Sequence, residues 1–266
     1  MPFGLAASLT GEHTQWRNLM TTTRIMSGDL EYPGVSAAAT HPHYERAPVV
    51  EAVAGFGIPE LADDRKPLLE VLARVLRDTY PIAEPVDGSG AGPGFRLSSS
   101  DGKRYVRASF GGHSLSQLAP YDRWEPFIAE FRRTWNAYLT VLGEVAIDRF
   151  FIRYYNELPI PIGVPLHHYF NIYPAMPDRD ILFDNIYLVV DTSVENPPAR
   201  VQTRMSPMRL EGGTVKMILD NTFTFRMADH EAVWDKLEII RKLKNDTFES
   251  QITDAMREAL ANEGGQ

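Results

Sequence analysis

Arg149, Arg153, Tyr155 and Asn156 crowd into one run, RFFIRYYNELPIP at 149–161, and together they hold the groups that could grip an anion. A guanidinium presents a planar fork of N–H donors that matches a carboxylate or a phosphate. Val, Ile, Phe and Tyr dominate the segment from Glu144 to Pro161, which reads as one long strand. Alternate residues of a strand share a face. Arg149, Arg153 and Tyr155 therefore fall on one side, and the two arginines are expected close enough to clamp a single carboxylate or phosphate. The same charges have a structural use, since each arginine could pair with an acidic neighbour in the sheet, Glu51 or Asp220. Asp148 and Asp220 are the candidates for acid–base work, because burial raises a carboxyl's pKa. With Arg149 and Arg153 they define an alternative reading, an enzyme of unrecognised type with a polar pocket.

Two histidine groups invite a metal reading. His41-Pro-His43 in an extended segment puts both rings on one side, and Glu45 continues the alternation, so three ligands could converge. The surrounding segment has little order, which favours chance. His167 and His168 are adjacent and expected to point apart, so they could not chelate one ion without a distant third ligand. Asp178, Asp180 and Asp184 are only loosely spaced like a divalent-cation loop and lack its glycine. A solvated turn accounts for them better. No GxSxG elbow or other nucleophile signature is present. The expectation is no metal and no cofactor.

Composition narrows the classes further. The chain has 266 residues, 44% of them hydrophobic and 23% charged, which is ordinary for a globular protein with a real core. It contains no cysteine, which excludes disulfides, thiolate nucleophiles and cysteine-based zinc or iron–sulfur sites. The formal net charge is −8, against the basic footprint of a non-specific nucleic-acid or acidic-membrane binder, though a local basic patch is compatible with it. No apolar run has the length of a membrane helix and no signal peptide is visible, so the expected compartment is the cytoplasm.

The elements that would carry these residues follow in order. Residues 1–43 look weakly organised, and Met26 offers an alternative start. Ala47–Ile58 reads as a strand. An apolar stripe of Leu68, Leu69, Leu72, Val75 and Leu76 predicts a helix over 64–80, capped by Asp63 or Asp64. EPVDGSGAGPG (84–94) reads as a flexible loop and lacks the Lys and Ser/Thr of a phosphate loop. Phe95–Ser99 and Arg104–Phe110 flank Asp101-Gly102 as a hairpin. Trp124, Phe127, Phe131, Trp135, Tyr138 and Leu142 make an aromatic stripe on a helix over 122–142, stopped by Gly143. The order to this point is β-α-β-β-α-β, so the first half (44–161) is expected to be ferredoxin-like. The second half (162–266) reads as strands at 185–192, 200–208 and 214–225 and two helices, the second starting near Asn245 with Asp246 and Glu249 as a capping box. The fold class is α+β, with the two halves forming one unit.

Several of these stretches also carry a resemblance. APVVEAV (Pro48, Glu51, Ala52), PYDRWEPF before the aromatic helix, the strand with Arg149, Arg153, Tyr154 and Asn156, LDNT at 219–222 and FESQIT at 248–253 are similar to a family of sporadically distributed bacterial proteins of unknown function. The resemblance spans Tyr44 to about Leu260. It implies a single α+β unit and brings no activity with it. The leading expectation is an accessory protein that recognises a peptide, a protein partner or a small anionic ligand through the Arg/Tyr/Asn cluster. Nucleic acid is the least favoured partner, though aromatic residues on a sheet face keep that reading open.

Overall fold

The computed structural model describes residues 44, 47–87, 92–174, 186–211, 213–227 and 229–262. Candidate residues His41, His43, Glu45, Asp178, Asp180 and Asp184, and the whole of 1–43, lie outside that set. Nine strands occur among the described residues: β1 (Val49–Gly57), β2 (Ile82–Val86), β3 (Gly94–Ser98), β4 (Arg104–Ser109), β5 (Gly112–Leu118), β6 (Arg149–Pro161), β7 (Leu188–Glu195), β8 (Pro198–Glu211) and β9 (Thr214–Phe225). Helix α1 (Leu68–Val75) follows β1, α2 (Trp124–Leu142) precedes β6, and α3 (Glu231–Trp234), α4 (Leu237–Gln251) and α5 (Asp254–Asn262) close the chain. All nine strands join one antiparallel sheet in the order β2-β3-β4-β5-β1-β6-β9-β8-β7.

This sheet is larger than the sequence implies. The expected ferredoxin-like first half has four strands, whereas six form here, because β2 takes the start of the glycine-rich stretch and GHSLSQL forms β5. The serines and glycine of β5 carry little strand propensity of their own. Its place is set by ladders to β4 on one side and β1 on the other. The two halves are continuous, since β6 pairs with β1 and, from Phe150 to Pro161, with β9.

All the helices lie on one face. Alternate residues of the central strands (Ala52, Ala54 and Phe56; Phe150, Ile152 and Tyr154; Phe223 and Phe225) are buried with Leu69 and Leu72 of α1, Phe127, Phe131 and Trp135 of α2, and Ile240 of α4. Phe56 is the hub, with ring centroids 4.5 Å from Trp135 and 5.3 Å from both Phe131 and Phe150. The far end of the same face holds Leu158, Met205, Met217 and Leu219 under Ile252, Met256 and Leu260. Helix α2 is tied to the turn that follows α1 through the buried Tyr80, which donates to Glu130 at 2.6 Å, while Arg133 holds the same carboxylate with two hydrogen bonds. Gly143 ends α2 at φ +76, as expected of a helix-stopping glycine.

Three boundaries move. Residues 144–148 precede the strand instead of starting it, and α1 begins at Leu68, after turns over 63–67. Asp246 is no cap. It lies inside α4, where Lys242 one turn earlier bridges it at 2.7 Å. The chain breaks later, at Ile252, whose backbone is extended, and Thr253 starts α5 by accepting the amide of Met256. Asn171 seals the break by donating to the carbonyls of Ser250 and Ile252 at 3.1 and 2.9 Å. Helix ends leave such carbonyls without partners. Asn171→Ala is therefore expected to lower stability by about 1–2 kcal/mol in urea titrations; a loss below about 0.3 kcal/mol would show that solvent replaces the amide.

One buried polar ring fixes α4 on the sheet. Thr203 Oγ1 donates to Asn221 Oδ1 at 2.7 Å, Asn221 Nδ2 to Gln251 Oε1 at 2.8 Å, and Gln251 Nε2 to Thr203 Oγ1 at 2.8 Å. Every member gives and receives, so burial of the three costs little and specifies one seat for the helix.

Candidate functional site

Because strand residues alternate, the side chains not turned toward the helices share the opposite face of the sheet. The ladders align them in rows. One row runs Glu84, Arg96, Arg107, Ser114, Gly55, Phe151, Thr224, Arg200 and Ser193; the next runs Ile82, Ser98, Tyr105, Ser116, Val53, Arg153, Thr222, Gln202 and Asp191. Strand β6 reports the asymmetry directly, with buried Phe150, Ile152, Tyr154 and Asn156 alternating with partly exposed Phe151, Arg153 and Tyr155. Apolar residues fall on both faces of β6, but only the face of Phe150 and Ile152 is packed with the helices. The strand's apolar residue on the second face, Phe151, is accommodated by a glycine: a Cβ added at Gly55 would stand 2.5 Å from the Phe151 ring. Gly57 makes the same room for the stem and guanidinium of Arg149.

Arg153 is held by Asp220. Nε donates to Oδ1 at 2.7 Å and Nη2 to Oδ2 at 2.9 Å, which is the parallel fork of a bidentate pair. These hydrogen bonds raise the Arg153 pKa above its ordinary value. The Asp220 side chain is 4% exposed and that of Arg153 36%. The structural pairing considered from sequence is what forms here. Arg153 also stands 5.6 Å from the Tyr155 ring, and burial, followed by the charge of Asp220, raises the Tyr155 hydroxyl's pKa. The other acidic neighbour, Glu51, accepts the Tyr105 hydroxyl at 2.5 Å. Burial first, then this bond, pushes the Tyr105 pKa up.

Not all the proposed residues come together. Arg149 and Arg153 are four positions apart, which at about 3.3 Å per residue is roughly 13 Å, with Phe151 between them. They do not clamp one anion. Asn156 lies on the helix-covered face, 3% exposed, and its amide donates to Leu219 O at 3.0 Å, a structural role. Asp148 is exposed just before β6, with its backbone amide bound to Gly57 O at 2.8 Å, and both Asp220 oxygens are taken by Arg153. Of the four residues of the enzymatic reading, Arg153 and Asp220 are spent on each other, and Asp148 and Arg149 stand exposed at the start of β6. His167 and His168 stack at 4.9 Å in a short turn over Leu166–His168, so the expectation that they point apart is also corrected. In a single 3₁₀ turn two exposed rings can fold over one another. Among the described residues, no three histidine, aspartate or glutamate side chains are grouped as metal ligands.

The residues that sequence reasoning passed over are Arg96, Tyr105 and Arg107. Arg96 and Arg107 stand directly opposite each other on β3 and β4. The Arg96 guanidinium lies 4.2 Å over the Tyr105 ring. The Nε atoms of both arginines are buried and make no hydrogen bond. Among the described residues neither arginine has a carboxylate within ion-pair distance, and the same holds for Arg149 and Arg204. The signal was present in the alternation of FRLS and RYVRAS, which sets Arg96, Ser98, Tyr105, Arg107 and Ser109 against Leu97, Val106 and Ala108, with Arg104 the one departure from the pattern.

No model of a known protein family matches the chain, and no curated protein matches its sequence. No helix among the described residues is long and apolar enough to cross a membrane.

Proposed function

We propose that this chain is an accessory binding protein of the bacterial family it resembles, acting in the cytoplasm, and that its open sheet face receives an acidic segment of a partner protein. One observation carries the reading: Arg96, Arg107, Arg149 and Arg204 all stand on that face without a carboxylate partner among the described residues, while Arg153 and Arg200 are neutralised by Asp220 and Asp191. Unmatched arginines on one face of a protein of net charge −8 are a local basic surface on an acidic body. Such a surface complements negative charge and steers its approach. Val53, Phe151 and Tyr155 lie between the arginines, partly exposed, and supply apolar area for alternate side chains of a bound segment.

A polypeptide suits this face better than a nucleic acid. Glu51 and Glu84 lie on it, neither in an ion pair among the described residues, and would meet a continuous phosphate backbone with repulsion. A peptide can place its carboxylates at the arginines and neutral residues elsewhere.

The test is fluorescence anisotropy with a labelled peptide that alternates Glu and Leu, run beside a single-stranded oligonucleotide of equal charge. The expected result is saturable peptide binding that weakens with salt and falls about tenfold or more in Arg96→Ala/Arg107→Ala. Arg132→Ala serves as the control, because Arg132 sits over Trp234 on the helical side. Binding of the oligonucleotide but not the peptide overturns the proposal in favour of nucleic acid, and equal losses in control and double variant overturn the placement.

A further inference from the structure

Directly opposed like charges on neighbouring strands are unfavourable. Arg96 and Arg107 form such a pair on the open face, and three features keep them in place instead of letting them part. Arg96 is stacked on Tyr105 at 4.2 Å, and Tyr105 is anchored through its hydroxyl to Glu51 at 2.5 Å, across the intervening strand β5. The Nε of each arginine is sunk in the sheet surface and bonded to nothing, so neither stem is free in solvent. The one carboxylate opposite Arg96, that of Glu84 on the edge strand β2, is exposed and forms no ion pair with it. Beside Arg107 the row continues with Ser114 and with Gly55, over which the Phe151 ring lies, so a hydroxyl and a low floor adjoin the guanidinium.

We infer that Arg96 and Arg107 are the two jaws of an oxyanion subsite, built to hold a carboxylate or phosphate group of the ligand between two guanidinium forks. The inference rests on the preceding reading that this face is the binding surface, and it names the group the face takes. An oxyanion between the forks converts a repulsive pair into two charge-assisted contacts. The pre-stacked Arg96 loses little further freedom when it binds.

Thermal unfolding in the presence of inorganic phosphate or succinate, each at low millimolar concentration, tests the subsite without a partner. Wild-type protein is expected to gain about 3 °C at saturation with one or both anions. Arg107→Gln and Arg96→Gln are each expected to lose that gain, and Arg107→Gln to melt no lower than wild type in anion-free buffer, because the repulsion is gone. A gain that persists in either variant, or no gain in the wild type, overturns the subsite. A measurement that needs no variant runs beside it: the arginine Nε–H resonances of the wild type should show two saturable shifts during the phosphate titration, and unmoved resonances overturn it equally. A response to phosphate but not succinate keeps the subsite, assigns a phosphorylated ligand and overturns the acidic segment. An acidic peptide that binds with the anion gain absent sinks the subsite alone.

Discussion

Arg153→Ala should cost about 3 kcal/mol of folding stability, mainly because of what it leaves behind. Asp220 is 4% exposed, and Arg153 donates to both its oxygens. Removing one partner of a buried pair strands the other, which typically costs about 3–5 kcal/mol. Arg153 itself reaches solvent, and Arg204 stands opposite Asp220 on the neighbouring strand, ready to turn toward it, so the lower end of the range applies. The neutral pair Arg153→Met/Asp220→Leu should recover most of the loss, since two apolar groups leave no charge stranded. Urea denaturation of the two singles and the double decides the matter through the coupling energy. A single-variant loss under about 0.5 kcal/mol would mean that the fork contributes no more than a surface ion pair.

The second large effect is acid sensitivity from His113. This residue is 1% exposed, ringed by Phe131, Trp135 and Tyr138 at centroid distances of 5.9, 5.7 and 5.4 Å, and neither ring nitrogen has a hydrogen-bond partner. Burial drives its pKa from the ordinary 6.5 down to about 3, so the folded protein holds it neutral. Between those values the unfolded chain binds a proton that the folded chain refuses, and stability falls as the pH falls. The contribution is whole above pH 6.5 and declines by about 1.4 kcal/mol for each unit below it, until the folded-state value is reached. Wild-type protein should therefore lose roughly 2 kcal/mol between pH 6.5 and 5, a window above the carboxylate range. His113→Phe should flatten that segment of the profile. A slope that survives the substitution would assign the acid sensitivity to other groups.

How much of this was legible differs by feature. The aromatic stripe of α2 and the apolar positions of β6 follow from periodicity alone, because burial on one side of a regular element imprints its period on the sequence. β5 was hidden, since Ser114 and Ser116 lie on the face turned away from the helices and Gly112 leaves room for a neighbouring backbone, Phe56 O being 2.5 Å from where its Cβ would sit. Its strand character comes from the ladders on either side. Among the site residues, the Arg153 pairing with Asp220 was one of two partners the charge pattern allowed. The Arg96–Arg107 opposition was not legible, because it depends on the register between β3 and β4. Asn156 illustrates the converse: its place in a polar run suggested a ligand role, while strand parity put it among the buried residues.

The double pairing of β6 also bears on how the molecule responds to being occupied. A strand laddered to β1 from Arg149 to Asn156 and to β9 along nearly its whole length cannot serve as a hinge, since opening on either side would break a run of backbone hydrogen bonds. The amides of β6 and of the strands beside it should be the slowest in the protein to exchange with deuterated solvent, opening only in global unfolding. A partner seated on the face above them would meet a rigid platform, and its arrival should slow exchange at the sheet's outer strands while leaving β6 as protected as before.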